Sequence, residues 1–176
     1  MITKYAKKVL SAVLFAYENI SLIPVKRYDG DVAYASAYGA FGSWPYSMSS
    51  ITFFSTSNNS SGIKIGSGSA IPTEDDYNLD ELITDGVTGS ITLNRSTDEN
   101  GNTITTALVT VTNNGNAEIT LTEIGYFVLL KCSSTIESTA SNNQAVMIDR
   151  TLLSAPIILS TNDTATIEYK LSGICG

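Results

Sequence analysis

Apolar and polar residues alternate along most of the chain after residue 50, at the two-residue period of a half-buried β-strand. Turn-forming runs of Asn, Asp, Ser and Gly interrupt this alternation, and Asn100-Gly101 is the clearest hairpin signal among them. The strands predicted in this way lie at residues 51–54, 62–65, 90–97, 103–111, 119–131, 145–152, 156–159 and 164–171. Many short strands separated by turns predict an all-β fold, an antiparallel β-sandwich of jelly-roll or immunoglobulin-like type.

A different period is found near the N-terminus. From about Thr3 to Asn19, apolar residues recur at helical spacing with lysines on the other faces, which predicts an amphipathic helix with Thr3 as its N-cap. The apolar run at residues 9–17 is too short to span a membrane, and the residues after Ala16 make a poor cleavage site for a secretory signal. We therefore expect no membrane partner.

Residues 20–50 lack a clear period and are rich in aromatic side chains separated by Gly, Ala and Ser. Together with the helix they form a predicted N-terminal helix and arm at residues 1–50, ahead of a β-sandwich domain at residues 51–176. The apolar side chains of this arm need a cover, which is either their own domain or a neighbouring subunit. The candidate subunit-interface residues are Tyr5, Val9, Leu10, Val13, Tyr17, Trp44 and Tyr46.

The charge and the absence of His exclude several classes of function. The chain has 10 basic and 17 acidic residues and a net charge of −7, whereas binding to nucleic acid phosphates needs a positive face. Without His, the Ser-His-Asp and Cys-His forms of catalysis and metal ligation by histidine are ruled out. An enzyme would rely on carboxylates, Lys or Tyr, and the sequence shows no such constellation. We predict a protein that is not an enzyme and needs no cofactor.

Three further features carry only weak chemical signals. Cys132 and Cys175 lack the paired spacing of a zinc site, and whether they form a disulfide or remain thiols stays open. Gly66-Ser-Gly68 is not followed by the Lys of a phosphate-binding loop, so we interpret it as a tight bend. The acidic loop at residues 74–81 offers carboxylates to a calcium ion, although exposed acidic loops are usually only solvated.

Two charged residues, Glu123 and Arg150, lie within otherwise apolar or alternating strand patterns. A charge at such a position either faces solvent or pairs with an opposite charge. We predict that Arg150 bonds a carboxylate, with Glu123 and Asp76 as the candidates. This bond would be a structural pin that holds the loop after Ile65 against the sandwich.

Four runs of the sequence, taken in order, resemble a pattern of bacteriophage virion structural proteins. They are Ile65-Gly-Ser-Gly-Ser-Ala-Ile-Pro-Thr-Glu-Asp-Asp-Tyr-Asn-Leu-Asp-Glu-Leu-Ile83, Glu123-Ile-Gly-Tyr-Phe127, Val146-Met-Ile-Asp-Arg150 and Thr164-Ala-Thr-Ile-Glu-Tyr169. The resemblance covers about residues 63–171, and the order of the runs is more specific than any one run. Tyr126 stands where Leu is usual and Asp149 where a small residue is commoner, and the N-terminal arm has no counterpart.

This resemblance implies a non-enzymatic virion component, assembled in the cytoplasm of a bacterial host, that forms homo-oligomers and contacts other virion proteins. Its partners would be major capsid, portal, neck or tail subunits. The first expectation is a capsid auxiliary or decoration protein, or a minor head protein, that docks between subunits of the particle. The alternative is a tail or neck ring subunit, such as a collar or adaptor.

An alternative hypothesis, from a different class of function, is that the protein is a carbohydrate-binding module or adhesin. In that case Trp44 and nearby Tyr side chains would stack on sugar, and the acidic loop would hold calcium.

Overall fold

In the computed structural model of the chain, the described residues are 2–4, 7, 23–35, 54–97, 99, 103–133 and 142–171. They form eight strands arranged in two antiparallel sheets. The strands are β1 (Ile23–Lys26), β2 (Val32–Ala35), β3 (Gly62–Gly66), β4 (Val87–Thr97), β5 (Thr103–Asn113), β6 (Ile119–Ser133), β7 (Asn142–Leu159) and β8 (Thr164–Leu171). The all-β prediction is therefore confirmed for the described part of the chain.

The first sheet is organised around β6. Strand β7 pairs with β6 along nearly its whole length, and β3 pairs with residues 123–127 of β6. Strand β2 joins at the far end of β6, where Ala35 is registered with Cys132, and β1 pairs with β2. Residues 23–35 therefore share a sheet with strands from the C-terminal half of the chain.

The hairpin of β1 and β2 corrects the prediction that residues 20–50 are irregular. Each strand has only four residues, too few to show a two-residue period. Pro24 also argues against a strand in the sequence. It is tolerated here because, among the described strands, β1 pairs with β2 alone, so a missing N–H can face away from the ladder.

The second sheet consists of β4, β5 and β8 in that order. Its inward side chains and those of the first sheet form one buried cluster, which includes Ile63 and Ile65 of β3, Val109 of β5 and Ile167 of β8. Its outward face is rich in Thr, and Thr112 and Thr164 approach each other across the strands with their Oγ1 atoms 2.9 Å apart. The two sheets thus share a core, and one face of the second sheet is polar.

A bulge in β7 decides which way its residues face. Tyr126 of β6 is registered with Asp149, but the next residue, Phe127, is registered with Met147, so β7 has one extra residue here. Ile148 packs in the cluster between the sheets, and Asp149 bonds Tyr169, which belongs to the same cluster. Because two successive residues face inward, the following residue, Arg150, faces outward.

The outward face of the first sheet is covered by the segment that joins β3 to β4, residues 67–86, which we call the β3–β4 loop. Leu79 from this loop is buried against Phe127 of β6 and Met147 of β7 in a second apolar cluster. Leu82 and Tyr28 pack at its border. Both faces of the first sheet are therefore buried, which explains why a side chain on either face can lie out of solvent.

Most predicted strands are confirmed, with one correction in β7. The sequence predicts separate strands at residues 145–152 and 156–159, whereas β7 runs without a break from Asn142 to Leu159. Glu123 is registered with Leu152 and Leu121 with Ile157, so residues 153–156 have no registered partner on β6. Pro156 falls in this stretch, where its missing N–H removes no ladder bond.

Several predictions for the N-terminal region lie outside the described residues. Of the predicted helix at residues 3–19, only Thr3, Lys4 and Lys7 are described, and a helical hydrogen bond joins Lys7 N–H to the carbonyl of Thr3. The described part of the chain contains no helix element, so it does not support the predicted helix. The predicted strand at residues 51–54 is described only at Phe54, which forms an isolated bridge with Ile63. The predicted domain boundary near residue 50 also lies outside the described residues.

Candidate functional site

The carboxylate of Glu123 lies at the centre of a buried polar network. Glu123 is fully buried in β6, and its two oxygens accept four hydrogen bonds. Oε1 accepts from the main-chain N–H groups of Gly68, at 3.2 Å, and Glu81, at 2.9 Å. Oε2 accepts from the N–H of Asp80, at 3.2 Å, and from Nε of Arg150, at 2.7 Å. The β3–β4 loop is thus wrapped around a single side chain.

Arg150 connects that carboxylate to two further points of the same loop. Its Nη1 donates to Oδ2 of Asp76 at 2.8 Å, and its Nη2 donates to the carbonyl of Ala70 at 2.9 Å. The side chain is 3% exposed. The structure therefore brings together the three residues of the predicted pin, Asp76, Glu123 and Arg150, with the guanidinium between the two carboxylates.

The charges of the network stabilise one another despite burial. Burial opposes ionisation of Asp76, but hydrogen bonds from Thr73 and the ion pair with Arg150 outweigh it and lower the pKa of Asp76. Burial likewise opposes the charge of Arg150, and its bonds to Asp76 and Glu123 outweigh that effect and raise the pKa of Arg150. Asp76 and Arg150 therefore act as charged structural elements at neutral pH.

Gly66 and Gly68 make room for the Glu123 carboxylate. A Cβ at Gly66 would lie 2.6 Å from the carbonyl oxygen of Glu81 and would also collide with Glu123, and a Cβ at Gly68 would lie 2.7 Å from Oε1 of Glu123. Neither glycine has a positive φ. The bend predicted at Gly66-Ser-Gly68 therefore needs glycine because there is no space for a side chain, and not because the backbone adopts an unusual conformation. The sequence alone could not reveal this steric requirement, because it comes from contacts with distant residues.

The other carboxylates of the β3–β4 loop also have protein donors. Asp80 accepts from the N–H groups of Ser69 and Ala70, both at 3.1 Å, and Glu81 accepts from the hydroxyl of Ser67 at 3.0 Å. Glu74 and Asp75 form ion pairs with Lys7 and Lys4. Within the described ranges, no group of three or more candidate ligand side chains is placed to hold a metal ion.

A second buried polar contact links the two sheets. The hydroxyl of Tyr169 donates to Oδ2 of Asp149 at 2.5 Å, and the hydroxyl of Thr151 donates to the same oxygen at 3.1 Å. Burial and the negative charge of Asp149 raise the pKa of Tyr169 well above its ordinary value. Tyr169 therefore remains a neutral donor, and β8 is fixed to β7 at this point.

Lys64 is a buried cation that the sequence analysis missed. It is fully buried on the outward face of β3, with Nζ 2.7 Å from the carbonyl oxygen of Asn58 and 4.0 Å from the centre of the Phe127 ring. Burial lowers its pKa to about 8. Strand alternation places Lys64 on the opposite face from its apolar neighbours, which normally indicates a solvent-facing position. Here Asn58, in the turn before β3, and the Phe127 ring contact its side chain.

The remaining predicted residues fall into two groups. Cys132 is a free, buried thiol, and burial raises its pKa to about 11, whereas Cys175 lies outside the described residues. The whole set of candidate interface residues is also outside them. These residues are Tyr5, Val9, Leu10, Val13, Tyr17, Trp44 and Tyr46. Their role at an interface stays a prediction.

Comparisons with known proteins found no relative of this chain. No protein-family model, no curated protein and no solved structure matches the chain. In the portion of the chain that is described, no helix has the length and apolar character needed to cross a membrane.

Proposed function

We propose that this protein is a structural component of a bacteriophage virion, a β-sandwich of jelly-roll or immunoglobulin-like type that assembles in the host cytoplasm. The position we favour is that of a capsid auxiliary, decoration or minor head protein that docks between subunits. A tail or neck ring subunit is the alternative position. Its partners are copies of itself and other virion proteins.

The observation that carries this proposal is that the four runs of the virion-protein pattern meet in space. Glu123 of the second run accepts hydrogen bonds from Gly68 of the first run and from Arg150 of the third. Arg150 in turn donates to Asp76 of the first run. The fourth run joins through Tyr169, whose hydroxyl bonds Asp149 of the third. The pattern is thus the set of residues that holds the β3–β4 loop and the two sheets together.

The hydrogen bonding of this network supports a structural role over a catalytic one. A catalytic group needs a polar atom that reaches a substrate. Here the carboxylate of Glu123 accepts four hydrogen bonds, and each nitrogen of the Arg150 guanidinium donates to a protein oxygen. No buried side-chain nitrogen or oxygen of the described residues lacks a partner. A network whose buried polar atoms are bonded within the protein suits a structural role in an assembly.

The proposal is tested on particles purified from a lysed culture of the bacterium that carries the gene. Mass spectrometry is expected to find peptides of this chain in the particles at a fixed copy number relative to the major capsid protein. Cryo-electron microscopy then distinguishes the positions, because icosahedral contacts indicate the head and a ring of six or twelve copies indicates neck or tail. Intact particles that lack the chain would overturn the proposal.

The carbohydrate-binding alternative has no support among the described residues. Trp44, its main stacking candidate, lies outside them, and the acidic loop's carboxylates are engaged by lysines, main-chain N–H groups and Arg150. A glycan array run with and without a chelator tests it directly. Calcium-dependent binding to a defined sugar would favour the adhesin over the virion component.

A further inference from the structure

The first described residues of the chain cover the outer edge of β7. Among the described strands, β7 pairs with β6 alone, so its other edge is available to a further strand. Ile2 forms an antiparallel bridge with Asp149 on that edge, and the N–H of Thr3 donates to the carbonyl of Ile148 at 3.0 Å. Main-chain bonds between an added segment and an open edge are the geometry of strand addition. Ile2 and Thr3 therefore extend the first sheet by one short strand from the same chain.

This contact lies at the bulge in β7. Ile148 is the residue of the bulge that has no registered partner on β6. A bulge interrupts the ladder, and buried carbonyl groups then need donors from elsewhere. The hydroxyl of Thr3 donates to the carbonyl of Met147 at 2.9 Å, and Thr3 is fully buried. Thr3 thus brings two donors, its N–H and its hydroxyl, to the bulged stretch.

The covered edge has a composition that favours pairing with other strands. Edge strands of soluble proteins often carry Lys or Pro, which discourage pairing with another molecule. Residues 142–149 of β7 contain neither, and Val146, Met147 and Ile148 form an unbroken apolar run. Without a cover, an edge of this kind is a template for a strand of another chain.

A second set of bonds fastens the N-terminal segment to the β3–β4 loop. The N–H of Lys4 donates to the carbonyl of Glu74 at 2.8 Å. The ammonium groups of Lys4 and Lys7 form ion pairs with Asp75 and Glu74 respectively, and all four side chains are at least 39% exposed. Exposed ion pairs are screened by salt and contribute little stability. The buried bonds of Thr3 are therefore the stronger of the two attachments.

We propose that residues 2–4 together with Lys7 form a guard strand, a segment that occupies the outer edge of β7 and keeps strands of other molecules from pairing there. The guard strand is a local conformational switch, because few bonds hold it and it can leave while the two sheets stay folded. When it leaves, the carbonyls of Met147 and Ile148 become acceptors for another extended segment. This role does not require the protein to be a virion component.

The test uses a full-length variant whose guard strand cannot bind, Thr3→Pro/Lys4→Glu/Lys7→Glu, and a fluorescent peptide of residues 1–8. The proline removes both donors of Thr3, and the glutamates repel Asp75 and Glu74, whereas the edge of β7 is unaltered. Fluorescence anisotropy is expected to show that the peptide binds this variant at least about 10-fold more tightly than wild type, because the wild-type edge is already occupied in most molecules. A peptide with Thr3→Pro has the same charge and should not bind.

The matched control is Arg95→Glu/Lys170→Glu, at two exposed positions of the second sheet. It makes the same change in net charge, and the peptide should bind it no more tightly than wild type. Equal affinity of the peptide for wild type and the triple variant shows that the segment guards nothing. No binding to a triple variant that melts cooperatively shows that the uncovered edge does not accept a strand, and either result overturns the proposal.

Hydrogen exchange of the wild-type protein is a second test, which holds even where the triple variant fails to fold. Mass spectrometry should find that the fragment of residues 1–8 exchanges at least about 10-fold faster than a fragment from β6, whose ladder opens only with the sheet, yet more slowly than the free peptide. Exchange as slow as that of β6 would mean that the segment leaves only on global unfolding. Exchange as fast as that of the free peptide would mean that it does not cover β7. Both results contradict a guard strand.

Discussion

Arg150 reaches Glu123 diagonally across the β6–β7 ladder. Its registered partner on β6 is Gly125, yet its Nε lies 2.7 Å from Oε2 of Glu123. Gly125 itself makes room for the β3–β4 loop, because a Cβ there would lie 2.8 Å from Leu79 Cδ2. The ion pair therefore depends on the bulge in β7 that turns Arg150 outward.

Replacement of Arg150 by Ala is expected to lower the free energy of unfolding by roughly 3 to 5 kcal/mol. The physical reason is that Glu123 would remain buried with its charge uncompensated. Urea denaturation at pH 7 measures the effect, and Arg95→Ala on the exposed part of β4 is the control. An unchanged midpoint for Arg150→Ala would show that the pin contributes nothing. The double variant Arg150→Met/Glu123→Gln should lose less than the sum of the two single variants, because the fully buried position 123 then carries no charge that has lost its partner.

Gly66→Ala is expected to destabilise the protein by about 1 to 3 kcal/mol, a large effect for a change of one methyl group. The added Cβ has no room between Glu123 and the carbonyl of Glu81. Thermal unfolding followed by circular dichroism gives the comparison with Ser69→Ala, a change at an exposed position of the same loop. Equal melting temperatures for the two variants would contradict the steric role assigned to Gly66.

A structural feature of this protein can be predicted from the sequence when the interactions that determine it involve residues close together in the chain. The alternation at residues 164–171 gives β8 with its observed bounds, because a two-residue period reports directly which side of a strand is buried. The partners of Arg150 are also predictable, since a cation and a carboxylate within apolar strands both need an opposite charge.

The features that the sequence does not predict arise from contacts between distant segments. The bulge at Ile148 and Asp149 has no local signal, although it decides the direction of Arg150. Lys64 has the pattern of an exposed residue, yet it is fully buried, in contact with Asn58 from the turn before β3 and with the Phe127 ring of β6. The strands β1 and β2 are recognisable only through their pairing with each other and through the pairing of β2 with β6.

Lys64→Met is expected to change the pH dependence of stability. The folded-state pKa of Lys64 is lowered to about 8 from 10.5, so the folded protein binds fewer protons than the unfolded chain between these values, and its stability rises with pH in that window. The penalty is fully present below pH 8. Wild type should therefore gain about 2 kcal/mol relative to Lys64→Met between pH 7 and pH 9.5.

Urea denaturation at the two pH values measures that difference. Lys170→Met, at an exposed position of β8, is the matched control and should show no such gain. Comparison of variants at each pH cancels the titration of all other groups, including the tyrosines. If the stability difference between wild type and Lys64→Met stays constant from pH 7 to pH 9.5, the burial of a charged Lys64 is wrong.

Asp76→Asn is expected to destabilise the protein at neutral pH and to lose this effect in acid. The folded-state pKa of Asp76 is lowered below its ordinary value of 3.8, so its ionised form contributes stability above that value, and the contribution is lost as pH falls through the lower, folded-state pKa. Removal of its charge also leaves one donor of Arg150 with a weaker acceptor.

Urea unfolding of Asp76→Asn and wild type at pH 7, 4 and 2.5 measures this pH dependence. Guanidinium is avoided as a denaturant because its ions screen charge pairs. Asp85→Asn, at an exposed position next to Thr84, is the control and should give a difference from wild type that is small at all three pH values. A deficit of Asp76→Asn that is as large at pH 2.5 as at pH 7 would mean that the amide disturbs the packing of the loop, and that the ion pair with Arg150 is not the source of the stability.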